Sequence, residues 1–393
     1  MKILTINTRY IGGGGAAYIA NILHNEINKI EGYSSTFLYG RGKVGDSNSF
    51  RIIYPKMDYI SALSYRVFAS ELNLNKNIEK QIKECDIVHL HNIHGYYINY
   101  VNLFKLLKKY NKKIIWTLHD MWPFTGRCAY SFGCEAWKDE CGKCKNLKSY
   151  PSTFVDKSKR ELKLKKQVIN YIDKDKLIIV TPSKWLADIC RKSFLNKYKI
   201  YNIPNGIKVE EIQSSKEELR EKFSIPIDKK MVLFVAADTR DERKGIGYIM
   251  DIIPKCPDYI FVSIGKEIES VKLCNFIQLG YISERNKINE IYKMADLFVI
   301  PSIDDNFPTT VLESLANGTP VIGFNQGGIP EQVEDNVGIV IDRIESEELK
   351  NSIDNILNDE SKLKEFSHQA RVKYLENYTL EKFIDSYLEI YKK

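Results

Sequence analysis

No stretch of this chain approaches the roughly 18 consecutive apolar residues that a membrane-spanning helix needs, so no transmembrane segment is expected. The opening MKILTINTRY lacks a basic leader followed by a long apolar run. No secretory signal is therefore expected, and the chain is read as cytoplasmic. Cysteine is sparse for a secreted disulfide scaffold: eight residues are spread over 393. Charge of one sign is also limited. The 58 basic residues outnumber the 51 acidic ones by only seven. That excess does not call for nucleic acid; it suits an anionic substrate or a membrane surface, or simply a lysine-rich chain. There is no repeat at a fixed short period and no low-complexity linker.

What is present is an alternation. Apolar residues make up 44% of the chain, enough for packed cores, and the length allows two domains. Short β-rich runs (Ile3–Asn7, Ser34–Leu38, Asp86–Leu90, Ile114–Leu118, Leu177–Thr181) alternate with helical patterns (Tyr18–Lys29, Val101–Tyr110, Ser183–Phe194). The second half repeats the scheme with strands at Met231–Ala236, Tyr259–Ile264, Ile277–Gly280, Leu297–Pro301, Val321–Phe324 and Gly338–Ile341, and helices at Glu284–Met294 and Thr309–Asn317. Runs such as Leu233–Ala236 are apolar on both faces, which marks buried parallel strands. The fold class is α/β, with two doubly wound Rossmann-like domains facing across a cleft. Ile203-Pro204-Asn205-Gly206 punctuates the chain. The domains are placed at 1–205, with a cysteine-containing insertion near 120–150, and 206–375. A terminal helix over 376–393 is expected to pack back on the first.

One stretch concentrates the chemistry. A strand ending at Pro301 leads into the loop SIDDNFP and then into a helix from Thr309. Free N–H groups at that helix start, with the hydroxyls of Thr309 and Thr310, suit a diphosphate. Glu313, one turn further in, can accept hydrogen bonds from the two vicinal hydroxyls of a ribose. Asp305, on the loop, is within reach of sugar hydroxyls. After Val321–Phe324, Gly327-Gly328 allow a ligand close to the backbone, and Glu331 follows at the next helix. The loop Arg240-Asp241-Glu242-Arg243-Lys244-Gly245 follows the strand MVLFVAA, and its cations can offset charge on a leaving diphosphate.

The segment DNFPTTVLESLANGTPVIGFNQGGIPE resembles the signature of the group-1, family-4 type retaining glycosyltransferases of the GT-B fold. The resemblance extends over essentially the whole chain, through the early glycine-rich loop, TLHD, PSKWL, IPNGI and the RKG loop. It implies a nucleotide-sugar donor with UDP or GDP, and a saccharide acceptor that is lipid-linked in bacterial surface polysaccharide synthesis. It implies that no metal is needed for transfer. Glu313 would hold the donor ribose, and Asn306, Phe307, Thr309, Thr310 and Gly328 would meet sugar and diphosphate. Lys244, with Arg240 or Arg243, would face the diphosphate; Gly280 and Tyr281 would lie where the base is read. Asp305 stands where the family has Glu, shorter by one methylene, so donor choice is not carried over.

In the first half, Gly12-Gly13-Gly14-Gly15 precede a helix. Gly12, Gly14 and Ala17 fit a dinucleotide pattern, which keeps an NAD-dependent oxidoreductase as an alternative, beside a GT-B nucleotide-sugar epimerase and a non-catalytic binding module. By resemblance Gly14 and Gly15 lie at the donor phosphate instead. The strand IIWTL delivers His119 to the site, where by resemblance it sits beside the transferring sugar; His119, Lys244, Asp305 and Glu313 form the catalytic set. HLHNIH over 89–94 invites a metal reading, but no matching acid or histidine follows it, and it is assigned to the acceptor side. Cys128, Cys134, Cys141 and Cys144 have the spacing C-x5-C-x6-C-x2-C, which favours a structural zinc over disulfides in a flap over the acceptor. The basic run KSKRELKLKKQ over 157–167 suits either peripheral contact with anionic headgroups or a solvated face.

Overall fold

The structure, a computed structural model, describes all residues except 13, 44, 54–56, 69–76, 237–240, 269–272 and 335. It divides into two compact units, residues 1–204 with 384–393, and residues 205–383.

The first unit runs β1 (Lys2–Arg9), α1 (Gly15–Ile27), β2 (Ser34–Arg41), β3 (Ser49–Arg51), α2 (Met57–Phe68), α3 (Ile78–Glu84), β4 (Ile87–Leu90), α4 (Tyr100–Lys109), β5 (Lys113–Thr117), α5 (Ser158–Asn170), β6 (Leu177–Thr181), α6 (Lys184–Arg191) and β7 (Lys199–Asn202). Its seven strands are parallel in the order β3-β2-β1-β4-β5-β6-β7. Every residue of β4 and β6 is buried, because helices cover both faces of a parallel sheet. The short edge strands β3 and β7 were not expected from sequence; neither carries a continuous buried apolar run.

The second unit runs α7 (Lys216–Lys222), β8 (Lys230–Ala236), α8 (Ile246–Ile252), β9 (Tyr259–Gly265), β10 (Phe276–Gln278), α9 (Arg285–Met294), β11 (Leu297–Ile300), α10 (Thr309–Ala316), β12 (Val321–Phe324), α11 (Ile329–Val333), β13 (Gly338–Ile341), α12 (Ser346–Leu357) and α13 (Glu360–Asn377), followed by α14 (Leu380–Lys392). Six parallel strands take the order β10-β9-β8-β11-β12-β13. Both sheets reverse their strand order at one place, β1/β4 in the first unit and β8/β11 in the second. At such a point the loops leaving two adjacent strands diverge and open a crevice at their carboxyl ends.

The division differs from the sequence reading in detail. It falls between Pro204 and Asn205, and the terminal segment grouped with the first unit starts at Ile384 rather than at 376. The reason is α13, which continues to Asn377 and is fastened to α10. Ser367 Oγ donates to Gly318 O at 2.6 Å, and Arg371 donates to Ala316 O, so two carbonyls at the end of α10 find partners.

Candidate active site

In the second unit the site forms where β8 and β11 end. Gly245, just after Lys244, has a positive φ of 65°, and a Cβ there would lie 1.9 Å from Pro301 O. Only glycine lets the basic turn approach β11 so closely. Ile303 N then donates to Arg243 O at 2.9 Å, and the Arg243 guanidinium donates to Asp304 O at 2.9 Å. These bonds bring the two loops together at Asp305. Its Oδ2 lies 2.5 Å from Lys244 Nζ and 3.3 Å from Arg243. Burial alone would raise the Asp305 carboxyl, but the two cations hold it below its usual range.

The glycine pair after β12 closes on the same loop. Gly328 N donates to Asp305 O at 3.1 Å, and a Cβ on Gly327, whose φ is 61°, would fall 1.8 Å from that oxygen. α10 starts after Pro308 with no side-chain cap, leaving its first N–H groups available at the positive end of the helix. Thr309 and Thr310 are half-buried at this start. One turn in, Glu313 is buried and accepts from the Arg285 guanidinium at the start of α9. Burial raises the Glu313 carboxyl, and Arg285 pulls against the rise. Asn306 and Phe307 are buried, Phe307 edge-on to Tyr378 at 5.8 Å. Gly280 O accepts from Gly265 N at 3.0 Å beyond β9, and Tyr281 beside it is 70% exposed. Glu331 is half-buried in the first turn of α11. Arg240 lies outside the described residues, so the cations placed at Asp305 are Arg243 and Lys244.

In the first unit, Gly12 and Gly14 take φ of 76° and 78° between β1 and α1, and a Cβ on either would meet nothing within 4 Å. Gly14 sits at the start of α1 and Gly15 is its first residue. The HLHNIH segment is fixed to the end of β1. His91 N donates to Ile6 O at 2.9 Å, and Thr8 Oγ1 donates to His94 O at 2.7 Å. His91 Nδ1 and His119 Nε2 share a hydrogen bond at 2.9 Å, and the two rings stack at 5.2 Å. Burial depresses the His119 imidazole to about 4, so it works as a neutral ring. His89 is fully buried between Tyr391 Oη at 2.7 Å and Thr117 Oγ1 at 2.8 Å, and it is depressed to about 3 by burial and by His119. His94 Nε2 meets Asp120 Oδ2 at 2.8 Å; against the upward push of burial, His94 and the Trp122 N–H hold Asp120 low. HLHNIH is thus a hydrogen-bonded bed under His119. Among the described residues no group of three or more His, Cys, Asp or Glu is placed to hold a metal ion.

The four cysteines of the insertion differ in exposure. Cys134 is exposed, Cys141 is buried, and burial pushes the Cys141 thiol up to about 11. The insertion is organised around Arg127, fully buried, whose guanidinium donates to the carbonyls of Asn146, Leu147, Ser149 and Pro151. Lys165 of α5, also buried, donates to Trp122 O at 2.7 Å and lies over the Trp122 ring at 3.5 Å.

Residues 13–211 match the family described as Glycosyltransferase Family 4, and residues 215–373 match Glycosyl transferases group 1. The chain belongs to glycosyltransferase family 4, group 1. It is a glycosyltransferase, and that takes the place of the oxidoreductase reading of Gly12–Ala17. The family relative WcaC of Escherichia coli, a putative colanic acid biosynthesis glycosyl transferase, is 27% identical over 98% of this chain and 99% of its own. Anabaena HepE, solved in complex with UDP, has a TM-score of 0.71 at 15% identity over 100% of both chains. Sucrose-phosphate synthase of Thermosynechococcus elongatus has 0.70 at 15% identity, over 100% of this chain and 98% of its own. At such identities the likeness speaks for the fold, α/β of the GT-B kind.

Two residues of this glycosyltransferase escaped the sequence reading. Arg285 follows Glu284 in an ordinary helix start, and nothing local ties it to Glu313, 28 positions away. His91 was placed on the acceptor side without its link to His119, which exists only because β4 and β5 are neighbours in the sheet.

Proposed function

We propose that this glycosyltransferase moves a sugar from a UDP- or GDP-sugar to a saccharide acceptor carried on a lipid, keeping the anomeric configuration, in the assembly of a bacterial surface polysaccharide. The observation that carries the reading is the cluster at the ends of β8 and β11. Lys244 and Arg243 meet at Asp305, and α10 offers an uncapped N-terminus with Glu313 one turn behind it. The donor diphosphate binds at Lys244 and the α10 N-terminus, where cations and free N–H groups meet its charge. Glu313 accepts from the ribose hydroxyls. His119, neutral on its bed, donates to or accepts from a hydroxyl of the transferring sugar. The bond from anomeric carbon to diphosphate oxygen breaks as the bond from acceptor oxygen to that carbon forms on the same face. The acceptor proton passes to the leaving diphosphate, so no protein nucleophile is required.

The pathway rests on the names of relatives, WcaC and the O-antigen biosynthesis glycosyltransferase WclY of Escherichia coli, the latter 28% identical over 38% of this chain. UDP is supported by its presence in HepE. The basic face of α5 supports contact with an anionic membrane. A thermal-shift screen against nucleotides and nucleotide sugars tests the donor. Stabilisation by one nucleoside diphosphate and its sugars, lost in Glu313→Ala, is expected. A screen in which neither UDP nor GDP compounds stabilise the chain refutes the reading.

A further inference from the structure

A ridge of large apolar side chains stands in solvent on the first unit. Along α2, Tyr59, Ile60, Leu63 and Val67 fall at i, i+1, i+4 and i+8, which is one face of a helix with 3.6 residues per turn. All four are exposed, from 39% at Val67 to 76% at Tyr59, and Phe68 at the helix end is 62% exposed. The inner face is separately occupied: Ser61 and Tyr65 are buried, and Tyr65 packs against Tyr96 at 5.0 Å. The outward apolar side chains therefore serve no packing within the helix's own seat.

The ridge continues onto a second segment. Phe154 N donates to Arg66 O at 2.9 Å, Thr153 Oγ1 donates to the same carbonyl at 3.1 Å, and Lys157 Nζ donates to Phe68 O at 2.5 Å. These bonds set Phe154, 73% exposed, and Val155 beside the end of α2. Isolated exposed apolar residues are ordinary on protein surfaces, whereas a contiguous set of this size marks a surface that meets something.

Charge names the occupant. α5 begins one residue after Lys157, and its outward face repeats the same spacing with Lys159, Arg160, Lys163 and Gln167. Arg66 is exposed on α2 itself. The nearby acids are answered locally. Asp58 lies 3.5 Å from Arg41 and 3.6 Å from Arg51, and Glu140 pairs with Lys159 at 2.8 Å. Asp156 accepts from Cys144 N and from the Ser158 N–H and hydroxyl. The ridge is thus bordered by cations. A second copy of this chain would bring the same cations against them. An anionic bilayer offers what both parts need, an acyl boundary for the ridge and phosphates for the border.

We propose that α2, with Phe154 and Val155, is a membrane-docking surface that lies in the interface of an anionic phospholipid bilayer. The helix is about 18 Å long and lies in the plane; no helix among the described residues is long and apolar enough to cross. The inference rests on this surface alone and deepens the membrane contact of the proposed function. Its failure leaves the donor site untouched.

The test is co-sedimentation of the full chain with vesicles of phosphatidylglycerol and phosphatidylcholine in equal parts, against phosphatidylcholine alone. The wild type is expected to bind the mixed vesicles and not the neutral ones. The variant Leu63→Ser/Phe68→Ser/Phe154→Ser should lose binding by about tenfold or more. Arg160→Gln and Lys163→Gln should each lose roughly fivefold, with binding falling as salt rises. Stabilisation by the nucleotide sugar should stay the same in every variant, which separates a lost surface from a lost fold. No binding of the wild type to mixed vesicles overturns the proposal. So does equal binding to neutral vesicles, an apolar variant that binds like the wild type, or a wild-type dimer that this variant turns into a monomer.

Discussion

Asp305 Oδ2 lies 2.5 Å from Lys244 Nζ, a contact between the ends of two strands that are neighbours only at the reversal of the sheet. The carboxylate holds the ammonium in place before any donor arrives. Lys244→Ala should lower kcat/KM by about 10²-fold, the usual scale for one donor facing developing charge. Lys244→Arg should recover part of this, since Arg243 already shows that a guanidinium fits against Asp305. Steady-state kinetics with the donor found by the thermal-shift screen decides it. Wild-type kcat/KM in Lys244→Ala would remove the lysine from the reaction.

Much of this arrangement was legible in the sequence. The strand, acidic loop and helix from Leu297 to Ala316 are written in a buried apolar run, a polar break and a 3.6-residue period, and the structure reproduces them within a residue. Glu313 was assignable because its place in the helix follows from that period alone. Arg285 was not, because its partner is set by how α9 packs beside α10. The outward ridge of α2 was missed for a different reason. An apolar helix face is ordinarily read as a core face, and its exposure is visible only once Tyr65 and Ser61 are seen to occupy the inner side.

Glu313 sits between two opposing influences, burial that favours its neutral form and Arg285 that favours its charge. Removing the guanidinium leaves burial opposed only by the Tyr292 hydroxyl, so the carboxyl becomes protonated at higher pH. A protonated Glu313 accepts ribose hydroxyls poorly. In Arg285→Ala the acid limb of the donor-affinity profile should therefore move to higher pH, while affinity at alkaline pH stays near that of the wild type. Nucleotide titrations across pH, followed by calorimetry, measure this. An unmoved limb would mean that Arg285 does not set the charge of Glu313.

Gly327 is the tightest test of the loop geometry. A Cβ there would fall 1.8 Å from Asp305 O, and φ of 61° disfavours any L side chain. Gly327→Ala must displace either the turn or the Asp305 loop, and with it the ion pair to Lys244. Strain of about 1–3 kcal/mol is expected in the urea-unfolding free energy, together with a loss of transfer activity. Gly12→Ala has open space around its Cβ and should cost only the backbone strain of its own positive φ. If Gly327→Ala transfers sugar as fast as Gly12→Ala, the contact does not organise the site.

His89 ties stability to pH. Its ring is fully buried, hydrogen-bonded to Tyr391 and Thr117, and depressed to about 3 in the folded chain. An unfolded chain returns it to about 6.5. Between those two values the unfolded state binds the extra proton, so stability is full above about pH 6.5 and falls as the pH drops below it. At pH 5 this one histidine should remove about 2 kcal/mol of unfolding free energy relative to pH 7.5, by linkage over about one and a half pH units. His91 and His119, depressed in the same direction, add to the fall. His89→Asn will be less stable at every pH, because Tyr391 or Thr117 loses a partner. Its loss between pH 7.5 and 5 should nonetheless be smaller than the wild type's by about that 2 kcal/mol. Urea unfolding at the two pH values reads the slope separately from the offset, and equal slopes would show that His89 titrates alike in the folded and unfolded chain.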